Sequence, residues 1–438
     1  MSQKAVAIAV AVIMYLLANA GTPPSGTPPS GGALPPSQPP APGESRPGML
    51  QPAVVSAGEA VLRAGPGTSY DPVVTVPRGT AVTILSQQGD WYRAELPSGT
   101  TGWIWRPLVE LSPWSQQPPP SRPVSGRAVV GYYVDEPYNP SYDSMIANAD
   151  RLTAIAPWAW VVAADGSVQP AGDAAALGRA LRAAGSRRLS TYALVHNYQN
   201  GTFDSDSVHR LLSDPQARRR AVENLALEAA RYGVTGINLD FENVPPSDRE
   251  ALSAFVRDLA ERLHRDGRKL TVATPAKSSD GPASAHFAAF DYEALGRYAD
   301  GVWLMTYDQH YRTGPPGPIA SVEWVEKVVR YAVSRIPSHK ILLGLPAYGY
   351  EWGDGEAARA LTYAQAMSRL DRLGATLRWH PTYKVPYFTV GSRQVWFENR
   401  YSAGYKLLLV GRYELGGIAI WRLGQEDPGM WDVIARSL

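Results

Sequence analysis

The chain has 438 residues, 45% of them hydrophobic and 19% charged, a globular composition long enough for two or three domains. Its 42 basic residues nearly balance 40 acidic ones, so no strong field directs it to nucleic acid. It contains no cysteine, which excludes disulfides, thiolate metal sites and a cysteine nucleophile.

At the N-terminus Lys4 precedes an apolar run, Ala5 to Leu17, and then Ala18-Asn19-Ala20. A basic start, a short apolar run and an A-x-A end read as a secretory signal peptide over residues 1–20, cleaved after Ala20, with a retained anchor as the alternative. The run is short of the roughly 20 residues that a membrane span needs, so no stable membrane insertion is expected after cleavage. Residues 21–50 are dominated by Pro, Gly and Ser, with GTPPS twice, and read as a semi-stiff spacer. A second Pro-rich spacer covers 113–126.

Between the spacers lies a block, 51–112. Short β-segments around Ala60–Ala64, Pro72–Pro77, Ala81–Leu85, Trp91–Leu96 and Gly102–Trp105 alternate with Gly, Pro and Asp turns, which predicts a small all-β barrel. VLRAGPGTSYDPVVTVPRGTAVTIL, GDWYRAEL and GTTGWIW resemble a bacterial Src-homology-3-like domain. The resemblance implies attachment to the cell wall; a spacer without a ligand is the alternative.

From 127 to 438, apolar β-rich runs alternate with amphipathic segments, the pattern of repeated βα units. Strands are expected near Ala128–Val134, Leu152–Val162, Leu189–Val195, Gly233–Phe241, Leu270–Pro275, Gly301–Tyr307, Ile341–Ala347 and Ile418–Arg422. Helices are expected over Ala174–Ala184, Ala217–Tyr232, Asp248–Asp266 and Val322–Ile336. The fold class is therefore α/β, a (β/α)8 barrel, with 350–400 as a small α+β insertion.

The most informative segment is GVTGINLDFENV, residues 233–244. Strand alternation puts Asn238, Asp240 and Glu242 on one face and Ile237, Leu239 and Phe241 on the other. In a barrel the first set faces inward and climbs to the C-terminal rim, where active sites form. Asp240 and Glu242 are then roughly 7 Å apart at the backbone. Carboxylates that close in a confined site cannot both ionise freely, so one holds a proton at neutral pH and can donate it to a leaving oxygen. The bland alternative is a pair that caps a loop or binds a lysine.

TGINLDFE resembles the D-G-x-D-x-D-x-E signature of family 18 glycoside hydrolases, the chitinase family. GVWLMTYD (301–308) and IAIW (418–421) resemble two further strands of that family, and NLDFENV, TYDQHY and WRLGQEDPGMW are similar to its spore-cortex and cell-wall N-acetylglucosaminidase branch. The resemblance implies substrate-assisted, retaining hydrolysis, outside the usual two-carboxylate scheme. It implies Glu242 as acid and then base, and Asp240 as the group that orients the substrate's acetamido arm. Tyr307 would donate to that arm, Trp421 would lie beneath the sugar, and Met305 and Asp308 would line the subsite. Tyr132, closing the first strand, either packs or lines it. Trp158 and Trp160 are read as sharing one face of the second strand, in core or cleft.

Two positions depart from the signature. Thr235 replaces its first Asp, which should touch only strand packing. Asn238 replaces its middle Asp; it cannot share a proton, but an amide donating to Asp240 would keep that carboxylate oriented. The seven histidines show no metal-ligand spacing, and there is no nucleophile elbow or phosphate loop. His196, Asn197 and His310 fall near strand ends, as substrate contacts or plain loop residues, and Arg218–Arg220 read as a solvated helix face. The expectation is a monomeric enzyme, secreted or held at the cell wall or spore, without cofactor or metal, acting on peptidoglycan or a chitin-type glycan. A non-catalytic glycan binder is the competing class.

Overall fold

The computed structural model describes residues 51–96, 98–111, 126–135, 140–353, 355 and 357–438. The expected signal peptide and first spacer, and nearly all of the second, lie outside these residues. The described chain forms two compact units.

In the smaller unit, seven short antiparallel strands make one sheet. Ala60, Leu62, Ile84, Ala94 and Ile104 alternate inward to form its core. Two strands, Gln51–Val55 and Val109–Leu111, add to the expected five; they pair with each other, and the first also pairs with Ala81–Gln88. The last has only three residues, too short for a period to declare itself.

The larger unit is a closed parallel barrel. Its strands are β1 (Ala128–Tyr133), β2 (Ala154–Val162), β3 (Ser190–His196), β4 (Gly236–Asp240), β5 (Lys269–Pro275), β6 (Gly301–Met305), β7 (Ile341–Pro346) and β8 (Gly417–Trp421). Each pairs with the next, and β8 pairs with β1 to close the ring. The principal outer helices are α1 (Ser141–Ala147), α2 (Ala174–Ser186), α3 (Ser205–Ser213), α4 (Pro215–Tyr232), α5 (Arg249–Arg265), α6 (Tyr292–Tyr298) and α7 (Val322–Val333). Between β7 and β8 the chain makes a five-stranded antiparallel sheet (starting at Tyr348) and α8 (Tyr363–Arg372). It then runs through α9 (Arg400–Arg412) into β8, and α10 (Met430–Ser437) ends the chain.

The unit that delivers the key strand shows how local chemistry places it. Asp214 caps α4, accepting from Gln216 N–H, and Pro215 fills the first turn, where no N–H partner is lost. Gly233 ends the helix at φ 65°, a left-handed turn that costs glycine nothing. Gly236 opens β4 because a Cβ there would meet Lys269 O at 2.3 Å. Ile237, Leu239 and Phe241 then pack outward, Phe241 stacked on Phe255 of α5 at 5.6 Å. Burying that ring contributes about 2–3 kcal/mol, and a one-residue slip would turn it inward. The register of the inward, polar face is thus fixed from its back.

Candidate active site

The alternation that buries those three residues sends Asn238, Asp240 and Glu242 to the interior, at 0%, 3% and 3% exposure. Asp240 closes β4, and Glu242 stands just beyond it at the C-terminal rim. Burial pushes the Asp240 carboxyl up, and it pushes Glu242 up well above the usual range, with Asp240 and then Asp308 adding like-charge repulsion. Asp240 Oδ1 has no hydrogen-bond partner. An unmet buried acceptor costs about 1–3 kcal/mol, which the surrounding core must offset.

Tyr307 and Asp308 follow β6, and Met305, half-buried, is its last residue. The phenol of Tyr307 is driven up by burial and by Tyr132, Asp240, Glu242 and Asp308; that of Tyr132 is driven up by burial, Asp240 and Glu242. The same carboxylates act on both rings, which places them round one site. Asp308 sits at φ 56° and accepts hydrogen bonds from Tyr348 OH at 2.5 Å and Tyr350 OH at 3.0 Å. Burial outweighs those two bonds and raises it to about 6. Trp421, closing β8, meets Tyr132 edge-on at 5.1 Å and lies 6.4 Å from Trp158.

Asn238 departs from its expected role. Its Nδ2 donates to Thr271 Oγ1 at 3.0 Å rather than to Asp240, and its Oδ1 has no partner. Thr235 serves packing: its Oγ1 accepts from Thr191 N–H at 3.1 Å. The two tryptophans of β2 do not share a face. The β2–β3 register slips between Leu194 and Val195, opposing Trp158 and Trp160 respectively and leaving Ala159 as the extra residue. Trp158 therefore faces inward, its ring tilted against His196 at 3.8 Å, whereas Trp160 packs outward against Tyr232.

Asn197 gains a role that its motif context did not reveal. Its Oδ1 accepts from Glu242 N–H and its Nδ2 donates to Glu242 O, both at 2.9 Å. One buried amide thus holds the backbone of the outermost carboxylate on both sides. The only sequence signal was a polar residue at the end of β3, beside β4. His196 is buried, its Nδ1 accepts from Tyr198 N–H, and burial lowers it to about 3, so it is neutral. His310 lies outside this network, bonded to Pro315 O at 3.0 Å. Arg220 Nε donates to Asp165 O, while Arg219 is exposed. Among the described residues, no three His, Asp or Glu side chains form a group that could hold a metal ion.

A closed parallel barrel with an acidic pair and aromatic rings at its C-terminal rim is an arrangement that glycosidases of the α/β-barrel class use. The glycosyl hydrolases family 18 profile matches residues 129–426, and a bacterial SH3 domain profile matches 58–110. The chain belongs to glycoside hydrolase family 18 and carries a bacterial SH3 domain. Among its relatives, the uncharacterized glycosylase YvbX of Bacillus subtilis is 30% identical over 317 residues, covering 70% of this chain and 90% of that protein. The cortical fragment-lytic enzyme of Bacillus subtilis is 32% identical over 256 residues, covering 56% of this chain but only 59% of that protein. The crystal structure of a chitinase from Chromobacterium violaceum superposes with a TM-score of 0.67 at 33% identity, covering 71% of this chain and 98% of that one.

Proposed function

We propose that the chain is an exported N-acetylglucosaminidase that cuts peptidoglycan strands by a substrate-assisted, retaining route, with the small unit keeping it at the cell wall. The observation that carries this reading is the buried pair Asp240 and Glu242 at the end of β4, with the Glu242 carboxyl driven well above its ordinary range. A carboxyl that keeps its proton near neutrality is what departure of a glycosidic oxygen requires.

Glu242 gives its proton to the glycosidic oxygen as the bond from that oxygen to the anomeric carbon breaks. The acetamido carbonyl oxygen of the same sugar takes the vacated position. Asp240 accepts a hydrogen bond from the acetamido N–H and balances the positive charge that develops there. Its unpartnered Oδ1 suits it to that task. Tyr307 O–H donates to the acetamido oxygen, and Trp421 supports the sugar from below, with Tyr132, Met305 and Asp308 lining the subsite. Glu242, now a carboxylate, takes a proton from water as the water oxygen attacks the anomeric carbon; the bond from that carbon to the acetamido oxygen breaks, which restores the acetamide and the original configuration. Asn238, bound to Thr271, supports the strand beneath Asp240.

The cortical fragment-lytic relative and the SH3 unit favour peptidoglycan; the chitinase likeness supports a second reading, chitin-type oligomers cut by the same residues. A non-catalytic binder would have no need of a protonated acid at the rim. Proton NMR in the first moments of cleaving an N-acetylglucosamine oligomer tests the chemistry. The expected product keeps the β configuration, and an oligomer de-N-acetylated at the cleaved sugar stays intact. An inverted product, or cleavage of the deacetylated oligomer, would remove the acetamido group from the mechanism.

A further inference from the structure

The small unit presents an aromatic face that its core does not use. Along Trp91–Glu95 and Thr101–Trp105, Tyr92, Ala94, Gly102 and Ile104 turn inward. Trp91, Arg93, Trp103 and Trp105 therefore turn outward. The register sets Trp91 opposite Trp105 and Arg93 opposite Trp103. Arg63, on the other neighbouring strand, also lies opposite Trp103. Directly opposed side chains start about 5 Å apart, so Trp91 neighbours Trp105, and Trp103, two residues from Trp105 on the same face, stands between two arginines. Trp105 is 45% exposed, and Trp91 and Trp103 are half-buried. Adjoining indoles left in contact with water on one sheet face mark an interaction surface.

The charge on this face narrows the occupant. Residues 51–111 contain four arginines and five carboxylates, so the unit as a whole is not basic. Two of those arginines nevertheless flank Trp103. Arg63 spends one N–H on Tyr70 O at 2.9 Å, out of the five that a guanidinium carries. Of the nearby acids, Asp90 pairs with Arg106 at 3.9 Å, and Glu95 lies opposite Thr101 at the far end of its strand.

We propose that this face binds the glycan strand of a carboxylate-bearing, N-acetylated polysaccharide. Sugar rings lie flat on Trp91, Trp103 and Trp105, and carboxylates along the strand pair with Arg63 and Arg93. The apolar face of a pyranose matches an indole face, while guanidinium forks match carboxylates. Side-by-side rings on a sheet suit a ribbon of sugars. Peptidoglycan as the polymer rests on the function proposed above; the location of the face does not.

The test uses the full chain with Glu242→Gln, so that binding is read without cleavage, and follows tryptophan fluorescence on titration with peptidoglycan strands stripped of stem peptides. Adding Trp103→Ala and Trp105→Ala should weaken binding at least about tenfold. The same pair in the active enzyme should leave hydrolysis of a soluble N-acetylglucosamine oligomer unchanged. If near-UV circular dichroism shows that the double variant unfolds the unit, the exposed Trp105→Ala alone replaces it. Arg63→Gln with Arg93→Gln should remove the salt-sensitive part of the affinity. Undiminished binding by the tryptophan variants, or binding of free stem peptides but not of stripped strands, would overturn the proposal. Tryptophan-dependent binding of uncharged chitin strands, indifferent to the arginine pair, would overturn the acidic-polymer assignment; peptidoglycan left undigested by the active enzyme would sink the proposed function instead.

Discussion

Asn197 offers the sharpest test of how the site is held. Its side chain joins Glu242 N–H and C=O at 2.9 Å each and reaches Asp204 O at 3.2 Å, at 1% exposure. Alanine there orphans a buried donor and a buried acceptor on the backbone of Glu242. At about 1–3 kcal/mol for each of the two orphaned groups, the barrel loses roughly 2–6 kcal/mol. For a unit of this size, a thermal melt should show a fall of roughly 3–9 °C. The larger effect falls on catalysis. Glu242 loses its lateral anchor, and a displacement on the order of 1 Å lowers kcat about 100-fold. Because Asn197 grips the acid's backbone, KM should change little. Initial rates on an N-acetylglucosamine oligomer, with the melt run in parallel, separate the two effects. A folded Asn197→Ala protein with wild-type kcat, or one altered in KM alone, would refute the positioning argument.

Glu242→Gln should remove activity by a factor on the order of 100–10,000, the usual contribution of a general acid, measured as kcat on the same oligomer. It should also stabilise the protein at alkaline pH. The folded carboxyl lies above its unfolded value near 4.3, so its favourable contribution is full below that pH and is lost as pH rises through the folded value. Melts of variant and wild type should coincide near pH 4 and separate toward pH 9, the variant higher; identical melts at every pH would contradict the buried acid. Asn238→Asp places a third carboxyl beside Asp240, so the alkaline limb of the kcat/KM profile should move to higher pH. An unmoved limb would mean that the position is electrostatically isolated from the pair. Trp421→Ala removes the ring that meets Tyr132 at 5.1 Å, and KM should rise about tenfold, with a smaller loss in kcat. An unchanged KM would take Trp421 out of the sugar's path.

How much of this was readable from the residues depended on how local the determining physics is. The β4 segment declared itself because three polar residues alternate with Ile237, Leu239 and Phe241, and the core enforces that period. The barrel followed from eight apolar β-rich runs alternating with amphipathic segments, four of which read as helices. Trp158 and Trp160 defeated the same rule, since spacing by two says nothing of a bulge at Ala159, which only pairing with β3 creates. Asn238 misled for a related reason: its donor chose Thr271, on the adjacent strand, which no motif of β4 contains. Asn197 and the Tyr348–Asp308–Tyr350 cluster were hidden because each joins segments far apart in sequence. In the small unit Val109–Leu111 was too short to show a period, and it is held by pairing with Gln51–Val55.

The central claim is that Glu242 cuts the bond on the reducing side of N-acetylglucosamine in peptidoglycan. Digestion of purified peptidoglycan by wild type and by Glu242→Gln, with the new reducing ends identified by mass spectrometry, tests it most directly. The account predicts reducing N-acetylglucosamine ends from wild type and none from the variant. Reducing N-acetylmuramic acid ends, or equal release by both proteins, would contradict it.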